Sequence, residues 1–138
     1  MDITPLLIGI GLGGAIAVFA RQSRFEQDRS FYPTVLIVIA SYYVLFAVMS
    51  GANVVVEIAV ALIFAAVAAG AATNWPVAAG WGIFLHGVFD FTRGGFLGDG
   101  GAPLWWPEFC GGIDVALGLW LLLSSRYSGR IRRELSGA

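Results

Sequence analysis

The sequence predicts an all-α integral membrane bundle with five transmembrane helices, and three observations carry that reading. Of the 138 residues, 58% are hydrophobic and only 12% are charged, about half the charge of an ordinary soluble domain. Mean hydropathy is +0.80. Two runs, Thr34 to Val56 and Ile58 to Leu85, contain no charged side chain, and roughly 20 apolar residues suffice for one helical crossing. A soluble architecture is excluded, and the length allows one transmembrane domain, residues 1–138.

Each span is bounded by punctuation. The first is expected over residues 3–20, ending at Arg21. Val18-Phe19-Ala20 loosely fits a signal cleavage site, but Asp2 stands where a basic start is required and Arg21 follows, so the segment is read as retained. Within it, Gly9-Ile10-Gly11-Leu12-Gly13-Gly14 has G-x-G-x-x-G spacing without the strand that a dinucleotide site needs. Gly9 and Gly13 read instead as a small-residue ridge for close helix packing. The second span, 33–50, opens on Pro33, which suits a first helical position. Ser50-Gly51-Ala52-Asn53 is a turn. The third span covers 53–72, the fourth 76–92 after the Asn74-Trp75-Pro76 break, and the fifth 107–125.

All eight basic residues are arginines, and net charge is −1. Arg21, Arg24 and Arg29 flank the first connection; Arg126, Arg130, Arg132 and Arg133 lie in the tail, 126–138. Short clusters beside apolar spans mark the cytoplasmic face, and no nucleic-acid partner is expected. Five crossings place both clusters inside, the N-terminus outside and the Gly94–Pro103 connection outside. Trp105 and Trp106 then sit at the outer interface, with Trp75 and Tyr127 at the inner one. The expected location is the inner (plasma) membrane, multi-pass, with the lipid bilayer as partner. Cys110 is the only cysteine, so no internal disulfide forms.

Direction brings scattered polar groups to one depth. Glu57 lies one turn into the third span, His86 and Asp90 in the last turns of the fourth, and Cys110 and Asp114 in the first turns of the fifth. His86 and Asp90 are four apart and share a face, Arg93 continues their stripe, and Cys110 and Asp114 repeat the spacing. Asn53 and Glu57 repeat it on the third span. Glu108 points elsewhere and complements its helix dipole. An ionised Asp in mid-membrane costs about 2.5–3.5 kcal/mol even on an insertion scale. Such groups are usually functional or structural glue.

Four readings follow, in order of preference. The first is an outward-facing polar pocket that binds, and could act on, a small molecule through His86, Asp90, Asp114, Glu57, Arg93 and Cys110. Here His86 is general acid/base oriented by Asp90, Asp114 or Glu57 is the second carboxyl, Arg93 neutralises an anionic group at the mouth, and Cys110 is a candidate nucleophile. The second is structural glue, in a homo-oligomer or as a subunit of a larger membrane complex. The third is a proton- or ion-coupled pathway through Glu57, His86 and Asp114. The fourth is a metal or haem site, for which His86, Asp90, Cys110 and Asp114 offer N, O, S and O donors. No cofactor is readable. The Gly94–Gly101 connection is expected to be a flexible linker, the alternative being that Phe96 and Leu97 cover the pocket, and either Tyr42 or Tyr43 is expected to aim its hydroxyl at the polar layer.

The words FYPTVLIVIASYYVLFAVMS (Phe31 to Ser50), HGVFDF (His86 to Phe91) and WWPEFCGGIDV (Trp105 to Val115) resemble a group of small uncharacterised bacterial membrane proteins. The shared patterns are H-G-x-F-D and W-W-P-x-F-C-x3-D. The resemblance implies a standalone bacterial membrane protein and carries no activity. Members of that group often have His near the position of Arg93, so it implies no two-histidine metal site in this chain.

Overall fold

A computed structural model describes residues 2–73 and 77–136, with side chains described through residue 124. The helices are α1 (Ile3–Gln22), α2 (Phe31–Ser50), α3 (Val54–Thr73), α4 (Val77–Arg93) and α5 (Trp106–Ser136), with a 3-10 turn at Phe25–Gln27. Asp2 caps α1 by accepting from the Thr4 amide. Between α1 and α2, the Asp28 carboxylate accepts from both the amide and the hydroxyl of Ser30, which holds its carboxyl below the ordinary range. Gly51 closes α2 in the left-handed region at φ 74°, and the Asn53 side chain caps α3 by accepting from the Val56 amide.

Two boundaries differ from expectation. Helix α2 begins at Phe31 rather than Pro33; a proline in the first turn costs nothing there, because the first four amides of a helix lack partners anyway. Helix α5 runs to Ser136 rather than ending at 125, since the tail has no proline and is rich in the helix formers Arg, Leu and Glu. Trp75 and the side chains of Tyr127, Arg126, Arg130, Arg132 and Arg133 lie outside the described residues.

Among the described residues, four helices are long and apolar enough to cross a membrane: α1, α2, α3 and Trp106–Ser124 of α5. The protein is therefore a multi-pass integral membrane protein with an all-α bundle. Their outer faces present large apolar side chains, among them Leu7, Phe19, Leu45, Met49, Leu62 and Leu123, all more than 45% exposed. Glu57 of α3 and Asp114 of α5 are turned inward, as hydrocarbon demands.

Helix α4 differs. Its 17 residues span about 25 Å at 1.5 Å per residue, short of a hydrocarbon core of about 30 Å. Its buried positions, Ala79, Gly82, Ile83, His86, Gly87, Asp90 and Arg93, recur every three to four residues, so one stripe faces inward. It packs along α5, against α3 and against α2, while α1 covers the other side of α5. Small apolar residues fill the end where α4 begins: Ala17, Ala20, Leu36, Ala68, Ala71, Ala79, Ile83 and Leu117. The polar residues occupy the other end.

Close helix contact rests on missing side chains. A Cβ on Gly9 would strike the Phe109 carbonyl, and one on Gly13 would lie 2.7 Å from the Ile113 carbonyl, so these glycines do form the expected packing ridge. Gly13→Val should therefore lower the stability of the detergent-solubilised protein by about 1–3 kcal/mol, as overpacking does, whereas Gly14→Ala, which meets open space, should leave thermal unfolding unchanged.

Candidate functional site

The polar layer forms where Gly87 brings α4 close to α5. A Cβ on Gly87 would sit 2.9 Å from Asp114 Cβ and 3.0 Å from the Gly111 carbonyl. Without it, the preceding residue, His86, reaches across. His86 Nδ1 lies 2.8 Å from Asp114 Oδ2 and 3.7 Å from Asp90 Oδ2. Cys110 Sγ is 3.9 Å from the same Asp114 oxygen. The donor atoms of His86, Asp90, Cys110 and Asp114 all fall within 4.8 Å of one another.

Glu57 and Arg93 make a second, separate system. Arg93 donates from Nη2 to Glu57 Oε1 at 2.6 Å and from Nη1 to Oε2 at 3.1 Å. Its Nε donates to the Gly98 carbonyl at 3.1 Å. The guanidinium stacks 3.7 Å from the centroid of the Tyr43 ring. All six residues are buried: Arg93 and Asp114 at 0% exposure, His86 and Asp90 at 1%, Glu57 at 3% and Cys110 at 4%. Arg93 is thus locked to Glu57 instead of standing free at a mouth. The shared depth read from the sequence is realised as two contacting groups.

The connection after α4 is not the flexible linker expected. Amides of Phe96 and Leu97 donate to the Arg93 carbonyl, and the Asp99 carboxylate accepts from the Gly101 amide. Gly98, Gly100 and Gly101 all have positive φ, a backbone region that glycine enters without penalty. Gly100 is buried with no room for a Cβ, which would strike Arg93 Nη2 and lie 2.7 Å from Glu57 Oε1. Gly101 sits against Ser50 at the end of α2. The glycines therefore allow a backbone strap to close over the ion pair. Phe96 meets Phe89 edge to face, while its ring remains largely exposed.

The tyrosine choice is settled. Tyr43 is 2% exposed and Tyr42 38%. The Tyr43 hydroxyl lies beside Asp90 but forms no hydrogen bond of ordinary geometry, and Tyr42 packs instead on Trp106. Residues the sequence analysis did not single out complete the cluster's wall. Phe64 meets the His86 ring edge-on at 4.7 Å, and Phe89 lies 6.2 Å from it. A signal existed: Phe64 is two helical turns from Glu57 on the same face, and Phe89 is three residues from His86. Asn53 is exposed and serves as a cap, and Glu108 sits in the first turn of α5.

The two systems differ in how completely they are satisfied. Both oxygens of Glu57 are bonded. In the cluster, both oxygens of Asp90, Oδ1 of Asp114 and the Tyr43 hydroxyl are buried without a partner among the described residues. Each such group costs on the order of 1–3 kcal/mol. Breaking the satisfied pair and altering the unsatisfied group should then have unequal effects. Glu57→Gln should destabilise the protein by about 3–5 kcal/mol, the usual result of stranding a buried charge. Asp90→Asn should leave thermal unfolding in detergent nearly unchanged or slightly raised. Compared with protein-family models, with curated proteins and with solved structures, the chain finds no match in any of the three.

Proposed function

We propose that this is a five-crossing membrane protein that binds a small polar solute at the His86–Asp90–Cys110–Asp114 cluster. One observation carries the reading: three carboxylate oxygens and a phenol stand buried and unpartnered around one imidazole. A purely structural network gains nothing from such groups, whereas a binding site holds them for its ligand. The Glu57–Arg93 pair fits the structural role instead, pinning α3 to α4. In the proposed site His86 acts as general acid/base, with Asp114 fixing its ring through Nδ1. Asp90 and the Tyr43 hydroxyl orient the solute, and Cys110 lines the same space.

Five crossings are supported by the antiparallel run of α4 along α5, from Gly80 beside Leu121 to Gly111 beside Phe91. A bundle partner on each side lets this short, polar helix span the layer. The arginine clusters favour a cytoplasmic tail and an inner-membrane location, which puts the Gly94–Pro103 strap outside. A solute would then enter from the exterior by displacing the strap or passing Phe96.

Native mass spectrometry of the intact protein tests the reading. A specific small molecule should accompany the wild type and be lost from His86→Ala and Asp114→Asn while both variants still unfold cooperatively. If the wild type retains nothing and the variants only melt earlier, the cluster is structural. A reporter fused after Ala138 should be active on the cytoplasmic side; activity outside would reverse the proposed direction.

A further inference from the structure

We infer that the same cluster is a binding site for one divalent transition-metal ion of the zinc class. The inference rests on the cluster being a binding site and names what it holds. His86, Asp90, Cys110 and Asp114 supply one nitrogen, two carboxylates and one sulfur, all buried. That number matches the usual coordination of zinc.

The spacing comes near what one ion needs and would have to tighten on loading. With zinc bonds of about 2.0–2.3 Å, neighbouring donors around a tetrahedral ion lie roughly 3.3–3.7 Å apart. Here His86 Nδ1 to Asp90 Oδ2 is 3.7 Å, Cys110 Sγ to Asp114 Oδ2 is 3.9 Å, and the widest separation is 4.8 Å. The His86–Asp114 contact, at 2.8 Å, is too short, because a proton holds it, and the widest separation, 4.8 Å, is too long. Loading would release to water the proton held between His86 and Asp114, the Cys110 thiol proton and any proton on Asp90, and let the side chains rotate onto the ion.

Charge and satisfaction point the same way. Two carboxylates and a neutral imidazole balance a doubly charged ion, leaving the buried centre neutral with Cys110 as thiol and singly negative as thiolate. Without a cation, two acids and one histidine cannot all ionise and sum to zero, and buried uncompensated charge is costly. Asp90 is the telling residue. Fully buried, it faces the imidazole at 3.7 Å with the Tyr43 hydroxyl beside it, yet neither oxygen has a hydrogen bond of ordinary geometry, so it has capacity left for a ligand. The mixed N, O and S set excludes the all-oxygen preference of magnesium and calcium and suits zinc, cobalt or ferrous iron.

The test uses the full chain in detergent, stripped with chelator and reloaded with zinc or cobalt. Elemental analysis should give one ion per chain. The cobalt form should show the intense visible bands of a low-symmetry four-coordinate ion with near-ultraviolet thiolate-to-cobalt charge transfer. Asp90→Asn should weaken retention at least about tenfold, the lower end of what losing even an outer-shell partner costs, without lowering the melting temperature. Cys110→Ser should abolish the charge-transfer band and keep visible cobalt bands. A substoichiometric signal from the reloaded wild type overturns the proposal, as does equal retention in both variants. Should Asp90→Asn fail to fold, the wild-type and Cys110→Ser spectra still decide. A metal-free protein that retains an organic solute defeats the metal and leaves the earlier reading standing; a loaded protein that retains no solute does the reverse.

Discussion

A helix that carries an imidazole, a carboxylate and a guanidinium along one stripe has no place against hydrocarbon, and α4 is such a helix. It is too short to cross comfortably and too polar to face lipid, so α2, α3 and α5 surround its stripe. The rest of the fold follows from that enclosure. Glycines lower the wall between α4 and α5 at Gly87, the Arg93–Glu57 pair ties α4 to α3, and α1 shields the far side of α5. The outer helices supply apolar surface to the bilayer and small side chains to the interior.

Within the enclosure, chemistry is divided between two neighbouring groups. The guanidinium of Arg93 meets two carboxylate oxygens, a backbone carbonyl and an aromatic face, so its charge is answered in every direction. Around His86 the same density of polar atoms is left partly unanswered. Low surrounding polarity magnifies both situations, stiffening the first and making the second costly. Tyr43 belongs to both, with its ring under Arg93 and its hydroxyl beside Asp90.

The sequence made much of this legible because membrane helices obey few rules. Apolar runs and breaks place the first four helices, and the start of the fifth, within a few residues. Antiparallel order alone predicted that Glu57, His86, Asp90, Cys110 and Asp114 share a depth. What it could not supply was pairing: a depth argument does not tell that Arg93 turns to Glu57 while His86 turns to Asp114. That choice depends on helix rotation and on the Gly87 approach, which are tertiary. The strap was misread for a related reason. Glycine-rich composition signals freedom in isolation, but at Gly98, Gly100 and Gly101 it signals turns that only glycine makes without strain. The continuation of α5 beyond 125 is not legible in hydropathy, because loss of hydrophobicity marks departure from the apolar region and not the end of the helix.

Burial of Gly100 against Arg93 and Glu57 changes what kind of segment this connection is. Surface loops absorb insertions because their tips hang in solvent. Here the tip is a wall of the interior, and lengthening it would lift the carbonyl of Gly98 from the guanidinium it holds. Affinity handles or fluorescent inserts therefore belong elsewhere in the chain, and homologous sequences would be expected to conserve the length of this segment more strictly than its glycine-rich composition suggests.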